Sequence, residues 1–193
     1  MIKIGITGGI GSGKSVVASL LDLSGIPVYI ADTESKRLTE TSPAIREQLT
    51  ALLGSDLYTE KGLNKTLLAS YIFNSPDTLR LVNAIIHPEV NRDFSAWAEQ
   101  QATPFCAIES AILFESGFDR FVDLSLMVYA PLEVRIRRAR FRDTVSRSEV
   151  IARIQSQLPD EIKKERSDYT VYNDDRQALI PQIGAFITYL RQR

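Results

Sequence analysis

A chain of 193 residues that carries one cysteine, one histidine and one tryptophan leaves little chemistry to those side chains. With Cys106 alone, no intramolecular disulfide can form, so the fold must rest on its core. Cys106 lies in the apolar stretch Pro104 to Ile108 and reads as a buried small hydrophobe rather than a reactive thiol. Charge of one sign is missing too. There are 23 basic residues against 24 acidic ones, a net charge of -1, so no global field draws nucleic acid or an anionic membrane. No apolar run approaches the ~20 residues that a bilayer span needs. The opening MIKIGITGG lacks the charged start, apolar stretch and cleavage site of a signal peptide. The expectation is a cytoplasmic protein with no nucleic-acid, membrane or obligatory protein partner. Internal repeats and low-complexity linkers are absent as well, and the length suits one substantial core.

Five short β-rich runs are present: Ile2–Ile6, Pro27–Ile30, Phe105–Glu109, Leu124–Tyr129 and Tyr169–Tyr172. Helical periodicity fills the intervals, and strands alternating with helices predict an α/β fold with a parallel sheet covered on both faces. In the last helix, Leu179, Ile183, Phe186, Ile187 and Leu190 recur at three- and four-residue steps and form one apolar stripe. The interval between the second and third runs exceeds one crossover helix. It holds the helix-like stretches Leu63–Phe73 and Leu79–Trp97, with breaks predicted at Asn74-Ser75-Pro76 and at His87-Pro88, and reads as a helical insertion beside the sheet. In Leu132–Arg147, Arg135, Arg137, Arg138, Arg140, Arg142 and Arg147 face only Glu133 and Asp143. By itself such a run is equally a solvated helix face.

The most specific motif is Gly8-Gly9-Ile10-Gly11-Ser12-Gly13-Lys14-Ser15, which fits G-x-x-x-x-G-K-[ST]. Polyphosphate is densely charged, and glycines let the backbone curl so that successive N–H groups form an anion nest. Lys14 suits the β- and γ-phosphates, and the Ser15 hydroxyl suits Mg²⁺. Context agrees: Ile2, Ile4 and Ile6 precede the loop as a strand, while Val16, Val17, Leu20 and Leu21 follow as an apolar helical face ended by Gly25. The helix N-terminus then aims at the phosphates.

A GTPase switch would need the guanine-reading N-K-x-D. The one Asn-Lys pair, Asn64-Lys65-Thr66-Leu67, lacks the aspartate, and Asp22-Leu23-Ser24-Gly25 ends the first helix rather than following a later strand. A small kinase needs instead an acid near the acceptor hydroxyl, an acceptor pocket and mobile arginines. Asp32 follows Val28-Tyr29-Ile30-Ala31 at the end of the second run, where parallel sheets bind ligands; helix capping is the alternative and is compatible with that role. Glu109 ends the third run, where a Walker-B-type acid would help hold magnesium, or where a strand simply meets solvent. His87 before Pro88, taken from the residues alone, reads as a helix-boundary residue ahead of a substrate contact.

With these elements placed, the chain resembles the dephospho-CoA kinase family over nearly its whole length. Thr7 to Ser15 matches that family's form of the P-loop, and Ala31-Asp32 falls where it has Asp-Ala-Asp. Asn83-Ala84-Ile85-Ile86-His87-Pro88 is similar to its L-N-x-x-x-H-P signature, and Glu109 with Ala111-Ile112-Leu113-Phe114-Glu115 to its D-x-P-L-L-F-E. Arg138, Arg142-Asp143 and Arg153-Ile154-Gln155-Ser156-Gln157 resemble its lid, and Ser167-Asp168 with Asn173 its late A-D-x-x-x-x-N. Val16, Ile30, Ala111 and Val82 depart from the family's usual threonine, first acid, proline and leucine; only Ile30 removes a polar group from the proposed chemistry, leaving Asp32 as the one carboxylate there.

The resemblance implies ATP-dependent phosphorylation of the ribose 3′-hydroxyl of dephospho-CoA. ATP would be held by Gly11, Ser12, Gly13, Lys14, Ser15 and Val16, with Asn173 near the adenine. Asp32, Asn83, His87 and Glu115 would meet the acceptor, and Lys14, Asp32, Arg138 and Arg142 would carry the transfer. Mg²⁺ would sit on Ser15, with Glu109 a second candidate. The corresponding fold is a three-layer P-loop kinase with a five-stranded parallel sheet. Its core would be 1–60, 98–131 and 161–193, its acceptor-binding helical insertion 61–97, and its lid 132–160. The rivals are another small P-loop nucleoside or nucleoside-monophosphate kinase, and an ATP-binding regulatory or nucleic-acid-binding protein that uses Arg135–Arg142.

Overall fold

The computed structural model describes residues 1–73 and 75–193. All five strand expectations hold within a residue: β1 (Ile2–Thr7), β2 (Val28–Ile30), then, after a short hairpin of β3 (Tyr58–Thr59) and β4 (Gly62–Leu63), β5 (Phe105–Glu109), β6 (Leu124–Tyr129) and β7 (Tyr169–Tyr172). The large sheet is parallel with order β2-β5-β1-β6-β7. The hairpin pairs Tyr58 with Leu63 and Thr59 with Gly62; it is too short to show alternation and was not legible in the sequence.

The nine α-helices among the described residues are α1 (Lys14–Leu23), α2 (Ala31–Thr41), α3 (Pro43–Leu53), α4 (Lys65–Phe73), α5 (Pro76–Glu99), α6 (Leu132–Asp143), α7 (Arg147–Gln155), α8 (Asp160–Arg166) and α9 (Leu179–Arg191). Two compact units result, residues 1–30 with 100–193, and residues 31–99. In the first unit, strand alternation sends Ile4 and Ile6 into a core shared with Val17, Ala18 and Leu21 of α1 and Ile183, Phe186 and Leu190 of α9. Gly5 faces the opposite side, where Leu113 and Val122 lie against it, and α8 packs on β6. Cys106 is buried in β5, as its apolar setting predicts. The segment α6–α7 has a small core of its own, in which Ile136, Ala139 and Val150 meet Ile10 of the glycine loop. That segment, expected as a lid, groups with the sheet in the same unit.

The second unit is helical and starts at Ala31 rather than at 61, closing at Glu99 rather than at 97. Helices α2 and α3 had been expected with the sheet; they bury Leu38, Ile45 and Leu49 and pack on α5 instead. Helical periodicity says that such a stripe is buried, not against which partner. The predicted break at His87-Pro88 does not occur, because α5 runs on through Pro88. Proline removes one intrahelical donor and costs about 3 kcal/mol, yet Val82, Ile86, Val90, Phe94 and Ala98 continue one buried stripe across it, and that packing prevails. At the other predicted break, Asn74 lies outside the described residues. Ser75 caps α5 through its hydroxyl, which accepts from Thr78 N–H at 3.1 Å, and Pro76 takes the first helical position. Trp97 is half-buried and stacks on Phe94.

Since Phe94 is fully buried on that stripe, Phe94→Ala should lower the free energy of unfolding by about 3–5 kcal/mol. Urea titration followed by circular dichroism measures it, and a loss below about 1 kcal/mol would deny the stripe its place as the core of the helical unit.

Candidate active site around the phosphate loop

Strand β1 delivers the chain at Thr7, the loop turns through 8–13, and α1 begins at Lys14. Gly13 precedes the helix in the left-handed region at φ 94°, which a side chain would resist. Within the loop Ser12 N–H donates to Gly9 C=O at 3.1 Å. The Lys14 side chain folds back over it, Nζ lying 3.4 Å from Gly9 C=O and 3.9 Å from Glu109 Oε1. Parallel register places Glu109 there, opposite Ile6 at the end of β1. Lys14 and Glu109 side chains are only 11% and 13% exposed. Burial pushes the Lys14 ammonium below its ordinary pKa; Glu109 opposes that shift, while Lys163 and Arg135 add to it. Ser15 is an exposed residue in the first turn of α1, and its hydroxyl and the Glu109 carboxylate are oxygen donors of the kind magnesium takes alongside phosphate. Among the described residues no group of three His, Cys, Asp or Glu is arranged to hold a metal.

The outward-facing carbonyls of the loop are held by side chains from distant elements. Asn173 Nδ2 donates to Ser12 C=O at 2.8 Å, while its backbone N–H, just past β7, donates to the C=O of Tyr129, the last residue of β6, at 2.8 Å. Arg138 reaches the same Ser12 carbonyl at 3.5 Å and Asn173 Oδ1 at 3.3 Å, and pairs with Asp175. Arg135 Nε donates to Ile10 C=O at 3.0 Å, and its Nη1 lies 2.5 Å from Asp160 Oδ2. Burial raises the Asp160 carboxyl pKa against the pull of Arg135, Lys163, the Gly9 N–H and Lys14. Lys163 is fully buried and donates to Ala111 C=O at 2.6 Å, with Glu115 Oε1 2.8 Å away. Glu115 also accepts from Leu158 N–H at 2.9 Å.

Of the residues singled out in the sequence, the loop, Glu109, Arg138 and Asn173 come together here. Glu115 is engaged with Lys163 and Leu158. Arg142 is 66% exposed and paired with Asp143 at 2.7 Å, a carboxylate it shares with Arg153 at 3.0 Å. Asp168 accepts from Ser125 N–H at 2.8 Å and hydroxyl at 2.7 Å, fastening α8 and β7 to β6. Sequence reasoning missed Arg135, Asp160 and Lys163. Arg135 was hidden in a run of arginines, and Asp160 and Lys163 in a helix reading Asp-Glu-Ile-Lys-Lys-Glu-Arg that looks solvated throughout.

The other three candidates belong to the helical unit. Asp32 is the second residue of α2, its side chain 78% exposed and 2.6 Å from Lys36 one turn on. It does not precede the helix as a cap. Asn83 and His87 are both partly buried on α5, and four-residue spacing puts them on one face. His87 is interior to the helix, so its reading as a helix-boundary residue is overturned.

A five-stranded parallel sheet whose first strand opens into a glycine loop with a lysine folded over it, facing a strand-end acid and an arginine from α6, defines a P-loop kinase. The profile of the family described as dephospho-CoA kinase matches residues 2–178, and the chain belongs to that family. It is 50% identical over 193 residues to a dephospho-CoA kinase of Bacteroides fragilis, covering 100% of this chain and 94% of that one. A dephospho-CoA kinase of Porphyromonas gingivalis is 46% identical, covering 100% of this chain and 96% of its own. Among solved structures, a Thermus thermophilus protein superposes with TM-score 0.83 at 36% identity, over 99% of this chain and 97% of that one. A shikimate kinase from Acinetobacter baumannii shares the fold, with TM-score 0.56 at 16% identity, over 100% of this chain and 94% of its own.

Burial holds the His87 imidazole below its usual pKa of 6.5. A pKa depressed on folding means that the unfolded chain binds the proton more readily, so the stability His87 contributes is complete above pH 6.5 and is lost as pH falls through the lower folded value. Chemical denaturation of ligand-free protein from pH 8 to pH 5 should show the wild type losing more stability than His87→Gln. Parallel losses would mean that the imidazole titrates as in the unfolded chain.

Proposed function

We propose that this chain transfers the γ-phosphoryl group of ATP to the ribose 3′-hydroxyl of dephospho-CoA, giving coenzyme A and ADP in the last step of CoA synthesis. The observation that carries the reading is the convergence of Lys14, Glu109 and Arg138 on one phosphate loop in a chain of this family. The relatives' names supply the acceptor. ATP would lie with its phosphates over Gly11 to Val16 and its adenine toward Asn173. Lys14 would neutralise charge on the β- and γ-phosphates; the burial that lowers its pKa also strengthens every interaction it makes. Magnesium, held on Ser15 with help from Glu109, would supply positive charge to the phosphate oxygens. Arg138, and Arg142 once released from Asp143, would close over the transferring group and exclude water, which otherwise competes with the ribose hydroxyl. Asn83, His87 and Glu115 would serve the acceptor side. A cytoplasmic setting, where ATP is supplied, belongs to this proposal. No described helix is long and apolar enough to cross a membrane.

Asp32 would orient the 3′-hydroxyl and take its proton. A carboxylate is a weak base, but phosphoryl transfer passes through a loose transition state in which the nucleophile carries little charge until late. The carboxylate is exposed and pairs with Lys36 at the surface, which leaves it accessible to an incoming hydroxyl.

Coupled ADP release with a panel of acceptors tests the substrate: dephospho-CoA should support turnover far above adenosine, AMP or shikimate, and equal rates with AMP would move the chain to the nucleotide kinases. Asp32→Asn should lower kcat by roughly 10²–10⁴ with little change in KM for ATP. A single-turnover rate above about a tenth of the wild-type rate would remove Asp32 from the chemistry.

A further inference from the structure

Arg135 differs from the other arginines of its run in being 3% exposed. It leaves α6 toward the back of the glycine loop. Nε donates to Ile10 C=O at 3.0 Å, Nη1 lies 2.5 Å from Asp160 Oδ2, and Asp160 itself accepts from Gly9 N–H. A Cβ at Gly9 would collide with the Arg135 guanidinium and the Asp160 carboxylate, and a Cβ at Gly11 with the Arg135 backbone carbonyl. The Ile10 side chain between them packs into the α6–α7 core. Three consecutive loop residues are therefore held from outside by one arginine, its partner and the helix that carries it.

The consequence follows from peptide geometry. Ile10 C=O and Gly11 N–H share one planar trans peptide and point in opposite directions. Whatever fixes the carbonyl on the arginine side fixes the amide on the other. We propose that Arg135, locked by Asp160, is a positioning residue of the phosphate loop, keeping the Gly11 N–H turned to the phosphates before nucleotide arrives. It acts through the loop and touches no substrate. The inference rests on the loop being the polyphosphate cradle. Charge alone does not suffice for the role: one planar guanidinium spans the Ile10 carbonyl and the Asp160 carboxylate together, whereas an ammonium is a point charge without that fork.

The test compares the full chain with Arg135→Lys and with Arg135→Met/Asp160→Leu, measuring thermal unfolding without nucleotide and ADP affinity with Mg²⁺ by calorimetry. Replacing a buried ion pair by apolar side chains of similar size is often neutral or stabilising for the fold, so the double variant keeps the question open even if a single variant unfolds. Unfolding temperatures close to wild type with an ADP Kd raised roughly tenfold in both variants are expected. A double variant that binds ADP within about twofold of wild type overturns the proposal, as does affinity lost only in step with the fold. A wild-type chain that binds no ADP overturns the cradle reading and this proposal together, whereas normal wild-type binding with unaffected variants overturns this one alone.

Discussion

A peptide group carries its N–H and C=O on opposite edges, so a loop that offers amides to an anion must send its carbonyls elsewhere and find them donors. That requirement organises this molecule. The Ser12 carbonyl takes Asn173 and Arg138, the Ile10 carbonyl takes Arg135, and the Gly9 carbonyl takes Ser12 N–H with Lys14 nearby. The donors come from the residue after β7 and from α6, so the loop owes its shape to elements distant in sequence. Placing three cations, Lys14, Arg135 and Lys163, so deep has a large desolvation penalty. Each has a carboxylate close by: Glu109, Asp160 and Glu115. The pairing leaves little freedom, since loss of any one partner strands a buried charge.

Helix α6 divides its arginines by depth. Arg135 is locked at the loop, and Arg138 is a quarter exposed and bridges to Asn173 and Asp175. Arg137 and Arg142 lie outside on surface pairs with Asp175 and Asp143. Exposed ion pairs contribute about 0–1 kcal/mol and break easily, so the outer arginines can be recruited by an anion while the inner one stays fixed. The following helix α7 is set by a capping box of Ser146 and Glu149 and by the small core it shares with α6. The α6–α7 segment is thus rooted at its base and adjustable at its surface.

In the helical unit one element carries both the buried stripe and two partly buried polar side chains. The buried stripe of α5 is spaced by four residues, and so are Asn83 and His87 one position further round. The stripe makes the helix continuous through Pro88 and thereby keeps the two polar side chains in phase. Partial burial favours the neutral imidazole, which carries one donor and one acceptor.

The five strands, the α9 stripe and the glycine loop were legible in the chain because each depends on local chemistry: β-branched runs, a 3.6-residue period, and a spacing of glycines, lysine and serine that polyphosphate demands. Asp32, Asn83 and His87 were singled out by motif, but their surroundings were not foreseen. Whether α2 and α3 belong with the sheet or with α5, whether Pro88 interrupts its helix, and which arginine of six is buried were settled only in three dimensions. The reason is physical: propensity and periodicity are properties of a segment, whereas packing partners and desolvation depend on what the rest of the chain brings alongside. Sequence by itself determined the strands, the phosphate loop and its lysine; tertiary structure alone decided that Arg135, Asp160 and Lys163 stand behind that loop, since a charge in a polar helix looks the same to its neighbours in sequence whether it faces water or the core.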